Sequence, residues 1–72
     1  MAEHTDYSSS SNIASSDYDM DTQTLTIEFQ SGQSYEYTNV PPAIHRGLQA
    51  AGSTGAFFHR AIKPRFSAEQ EV

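Results

Sequence analysis

The hydrophobic period of this chain changes once, at Val40-Pro41-Pro42, and that change restricts the architecture more than any other feature. Before it, apolar residues alternate. Leu25, Ile27 and Phe29 interleave with Thr24, Thr26, Glu28 and Gln30, the period-two pattern of a half-buried strand rich in β-branched and aromatic residues. Tyr35 and Tyr37 then alternate with Ser34, Glu36 and Thr38, and Ser31-Gly32-Gln33 supplies the turn between, with Gly32 suited to positive φ. Ile13 to Met20 reads as an earlier strand entering a turn around Asp19 to Thr22.

After the prolines the spacing is helical. Pro41 and Pro42 suit a first helical turn, where the missing N–H is not needed. Ile44, Leu48 and Ala51 fall on one side, Arg46 and Gln49 on the other, and Gly52 is a C-terminal stop. Ser53 is a fitting N-cap for a second helix, whose apolar stripe is Phe57, Phe58, Ala61 and Ile62 and which Pro64 terminates. Each element has one apolar side to bury. The expected fold is therefore α+β: a small antiparallel three-stranded β-meander followed by two short helices packed on one face.

With 72 residues and no cysteine, the chain forms one domain near the lower size limit, without disulfide support or a cysteine zinc site. So small a chain points to a homo-oligomer sharing its core, or to very economical packing. Residues 1–10, with the Ser8 to Ser11 tract, read as a disordered leader, 11–66 as the domain, and 67–72 as a disordered tail. The longest apolar run is far below the roughly 20 residues that span a bilayer. A soluble, cytoplasmic protein is expected.

Charge is segregated. Arg46, Arg60, Lys63 and Arg65 all lie between residues 37 and 68, a stretch without Asp or Glu, although the chain carries a net −5. Residues 1–36 hold seven acids and no Lys or Arg. A net-acidic chain is a poor ligand for duplex DNA, whose binding needs many phosphate contacts. A small anion held by two or three basic groups is compatible with it.

Taken in order, Ser11-Asn12-Ile13, Tyr18-Asp19, Leu25-x-Ile27-x-Phe29, Gly32, Tyr35-x-Tyr37, Val40-Pro41, Ser53-x-Gly55-x-Phe57-Phe58-His59 and Ile62-Lys63 resemble the KTSC domain. That module of about sixty residues is named for its occurrence at the C-terminus of some lysyl-tRNA synthetases. The likeness covers roughly residues 10–66 and implies the same fold; the family suggestion for function is RNA binding. Similar members carry Asn where this chain has His59.

Several residues invite chemistry. Tyr35 and Tyr37 share a strand face about 6.8 Å apart and could stack on bases, or equally form core. Ser53-Thr54-Gly55 precedes a helix and could cradle a phosphate or act as an ordinary cap. Arg60, Lys63 and Arg65 follow, as phosphate partners or as a solvated face. His45 and His59 lack a second histidine at helical spacing or a completing carboxylate, so no metal site, cofactor or catalytic group is expected. A Ser53/His59/Asp19 hydrolase lacks a strained nucleophile elbow.

The expected function is non-enzymatic binding of a small nucleotide-like anion by Tyr35, Tyr37, Ser53, Thr54, Gly55, His59, Arg60, Lys63 and Arg65. Such a module could sequester a signalling nucleotide in the manner of a phage-borne sponge. The alternatives are an RNA-binding accessory domain, or a protein-interaction module whose Phe57/Phe58/Ile62 stripe packs on another chain.

Overall fold

The computed structural model describes residues 2–7 and 10–70. Its sheet is a fully antiparallel meander of five strands in sequential order: β1 (Ala2–Asp6), β2 (Ile13–Asp19), β3 (Thr24–Phe29), β4 (Ser34–Tyr37) and β5 (Ala68–Gln70). The three central strands are those the alternation predicts. The hairpin between β3 and β4 turns through Gly32 at φ 97°, a conformation that a side chain would strain.

The expectation of three strands is corrected by one strand added at each edge. Ala2–Asp6 pairs with β2, Glu3 opposite Tyr18 and Thr5 opposite Ser16, where a disordered leader was expected. Ala68–Gln70 pairs with β4, where a disordered tail was expected. Neither segment shows apolar alternation, because an edge strand can be held by its backbone ladder with little side-chain burial. Of those two segments, Met1, Ser8, Ser9, Glu71 and Val72 lie outside the described residues.

Both helical segments pack on one face of the sheet. α1 (Pro42–Ala50) starts with proline in its first turn, as its sequence requires. Its buried residues are His45 and Leu48, with Ile44 only half-buried. The inward stripe is thus rotated from the expected Ile44–Leu48–Ala51 line. Gly47 lets α1 approach the next helix: a Cβ there would stand 2.7 Å from the Phe57 ring.

α2 (Thr54–Phe57) is capped by Ser53, whose hydroxyl accepts the Ala56 N–H at 3.3 Å. The helix continues as a π turn over Phe58–Ile62, closed by the Lys63 N–H on the Phe58 carbonyl at 2.9 Å. Phe58 and Ile62 are buried against the protein's own sheet and Phe57 lies against α1, so the stripe expected to meet another chain is occupied within this one. Ile13, Leu25, Ile27, Val40, Leu48 and Ile62 are fully buried and form the apolar centre.

Candidate functional site

The inward sheet face is aromatic at both ends, and the helices cover the two ends differently. Under α1, Tyr18 stacks on His45 with centroids 4.8 Å apart, and its hydroxyl donates to the Val40 carbonyl at 2.5 Å. Tyr7 Oη and Ser16 Oγ are 2.8 Å apart, and Ser16 Oγ is 3.3 Å from His45 Nε2. This end is closed and its polar atoms are partnered. Burial lowers the His45 pKa, partly opposed by Glu3, whose Oε1 lies 3.6 Å from Nδ1.

At the other end the cover recedes. Beneath the π turn lies a groove of about 630 Å³, within the range of about 300–1,000 Å³ usual for small-molecule sites. Its aromatic walls are Phe29, Tyr35, Tyr37, Phe58 and Phe66. Phe58 stands at their centre, edge-on to Phe29 at 5.3 Å, to Tyr37 at 5.7 Å and to His59 at 5.4 Å. Tyr35 meets Phe29 edge-on at 5.7 Å. Asn12, Ser31 and Gln33 contribute polar groups, and His59 and Lys63 line it from the helix. Among the described residues no Asp or Glu lines the groove, in a chain with nine of them.

Glu3, paired with Tyr18, is on the helix-covered side, whereas three acids lie on the opposite, uncovered sheet face. Asp17, Asp19 and Glu36 surround a shallower hollow there together with Thr22, Thr24 and Thr26. Strand alternation produces this division, because residues flanking each inward apolar position point the other way. The charge segregation read along the sequence is therefore partly a segregation between the two sides of the sheet, with Glu3 the exception.

The structure brings together four of the nine expected site residues: Tyr35, Tyr37, His59 and Lys63. Tyr37 is buried and serves the core as well, with burial raising its pKa. Tyr35 is half-exposed. His59 and Lys63 are four apart, which on a helical path places them on one side, whereas Arg60 does not line the groove and neither does Arg65. Ser53, Thr54 and Gly55 line a separate small hollow with Ser10, Ser11 and Asn12. The Ser53 hydroxyl already accepts its capping bond and Thr54 is buried, so the single phosphate cradle expected from sequence is divided. Asn12 borders both hollows and was missed, as were Phe29 and Phe66.

Among the described residues no group of three or more His, Asp or Glu side chains is placed to hold a metal ion. Ser53 and His59 line different hollows. No described helix is long and apolar enough to cross a membrane.

The chain is 51% identical over 53 residues to a lysine–tRNA ligase of Nostoc punctiforme, covering 74% of this chain but only 9% of that protein. It thus spans about a tenth of the length of such relatives. A small protein of Tsukamurella paurometabola is 44% identical over 59 residues, covering 82% of this chain and 88% of that one. The crystal structure of a KTSC domain protein from Yersinia pestis superposes over the whole of both chains with a TM-score of 0.89 at 34% identity. The KTSC domain model matches residues 9–66, which contain the three central strands, both helical segments and nearly all of the groove: the chain belongs to the KTSC domain family.

Proposed function

We propose that the groove binds a small nucleotide-like anion and that the protein is a non-enzymatic binding module. The observation that carries this reading is an aromatic groove with no acid among its described lining residues and with His59 and Lys63 on its rim, in a chain of net charge −5. Half-exposed Tyr35 offers a ring face for a base, and stacking of this kind contributes about 1–3 kcal/mol per base. The amides of Asn12 and Gln33 can each donate and accept toward the polar edges of a base. Lys63 supplies a point charge for a phosphate. A module with these properties suits retention of a signalling nucleotide in solution.

A thermal-melt panel of mononucleotides, cyclic dinucleotides, ADP-ribose-type compounds and short RNA tests this reading. A ligand at 100 times its Kd adds about 2.7 kcal/mol, a rise of roughly ten degrees or more for a domain of this size. A shift confined to one nucleotide class supports the reading, and no shift with any nucleotide refutes it.

The similarity to lysine–tRNA ligases favours a second reading, an accessory domain that contacts RNA. Such binding would weaken steeply as salt rises. The open sheet face weighs against it, because Asp17, Asp19 and Glu36 there repel phosphates.

A further inference from the structure

The strand that completes the groove is held differently from the strands beneath it. β5 has three residues, and it lies outside the family match, which ends at residue 66. Its register on β4 places Ala68 opposite Tyr37 and Gln70 opposite Tyr35, so it extends the face that carries the groove tyrosines. Ala68 itself lines the groove, as does Phe66 just before the strand. Glu69 stands directly opposite Glu36, a like-charge alignment that opposes pairing. The side chains of Ala68 and Glu69 are exposed. β5 therefore rests on a short backbone ladder with no buried apolar anchor within the strand.

The connection to the site is short. Lys63, Pro64 and Arg65 lead from the π turn to Phe66, whose N–H bonds the Ile62 carbonyl at 3.0 Å, and one residue later β5 begins. Docking of β5 fixes the far end of the segment that carries both Lys63 and Phe66.

We propose that β5 is a detachable strap: it leaves β4 without unfolding the core, and its docking closes one side of the groove around the ligand. This rests on the groove being a nucleotide site. A ligand that prefers the docked form must, by linkage, stabilise β5 on β4, and loss of docking must weaken the ligand by the same factor.

The test is hydrogen–deuterium exchange on the full chain, with and without AMP, the simplest probe carrying both a base and a phosphate. Residues 68–70 are expected to exchange through a local opening while β3 remains protected. Glu69→Lys, which faces Glu36 with opposite charge, should slow that exchange about two- to fivefold. Saturating AMP should slow it about tenfold, within the usual range of coupling.

Successive N–H groups of a strand point to opposite edges, so the double variant Ala68→Pro/Glu69→Pro removes the one directed at β4. It should still melt cooperatively and bind AMP about tenfold more weakly, matching the slowing by AMP. Exchange of residues 68–70 only together with β3, or unfolding of the proline variant, would show β5 to be integral to the fold and overturn the strap. So would unchanged AMP affinity in that variant. Absence of AMP binding to the unmodified chain removes simple mononucleotides from the ligand reading without touching the strap, and the exchange pattern and Glu69→Lys then decide the strap alone.

Discussion

The two aromatic ends of the covered sheet face use similar residues for opposite purposes. Under α1, Tyr18 and His45 stack in contact, every buried polar atom there has a partner, and Tyr18 and His45 are at most 2% exposed. Under the π turn, rings meet edge-on around a groove that accepts a small molecule. The difference lies in the helical layer. α1 buries His45 and Leu48, with His45 stacked on Tyr18 of the sheet, whereas the chain beyond Phe58 widens into a π turn, a feature often found at functional sites. One end should respond to substitution mainly in stability and the other mainly in binding.

The strongest test of that division is Tyr18→Ala at the closed end. Deleting a fully buried aromatic should cost about 3–5 kcal/mol, visible as a large fall in chemical-denaturation midpoint. Tyr18→Phe, which leaves the Val40 carbonyl without its donor, should cost about 1–3 kcal/mol. Tyr35→Ala at the open end should cost only about 1 kcal/mol, since its ring is already half-exposed, but should abolish the nucleotide-dependent rise in melting temperature. If the two stability losses were equal, the proposed contrast between the ends would fail.

Acid should also act on the closed end. His45 titrates below the ordinary 6.5 when folded, so the unfolded chain takes up its proton first as pH falls. Its contribution is complete above 6.5 and is lost as pH drops through the window beneath. His4, bonded to Asp17 at 2.7 Å and to Asp6 at 3.0 Å, is shifted upward and acts oppositely, stabilising at low pH and losing effect as pH rises through its folded value. Urea midpoints measured from pH 7.5 to 5.5 should therefore fall less in His45→Gln than in the unmodified protein and more in His4→Gln. Lys63→Ala has the smallest structural effect expected: stability within about 0.5 kcal/mol, with nucleotide affinity reduced roughly tenfold or more. Titration calorimetry beside a melt separates those two outcomes.

Much of this arrangement is legible in the residue pattern, and the exceptions have physical causes. The central strands follow from Leu25-x-Ile27-x-Phe29 and Tyr35-x-Tyr37, and the Pro42 start and Ser53 cap follow from backbone hydrogen bonding. The edge strands are hidden because β1 is anchored by polar pairs such as His4–Asp17 and by Tyr7 beyond its end, and β5 by its ladder. His45 is hidden because a polar side chain beside Ile44 reads as surface. Its signal is Ser16, another polar residue facing inward on β2, and the two meet at 3.3 Å. In the groove, Tyr35, Tyr37, His59 and Lys63 are found from sequence, but no local rule tells that Arg60 and Arg65 turn elsewhere. Asn12 and Phe66 join the site only through tertiary packing at opposite ends of the domain.

The most direct test of the central claim is a heteronuclear NMR titration of the full chain with whichever nucleotide raises the melting temperature most. Binding in the groove predicts saturable shifts of the amides of Gln33, Tyr35, Phe58, His59 and Lys63, with Asp17, Thr24 and Thr26 on the open face unmoved. Shifts centred on the open face, or on the Ser53–Gly55 hollow with the groove silent, would contradict the account.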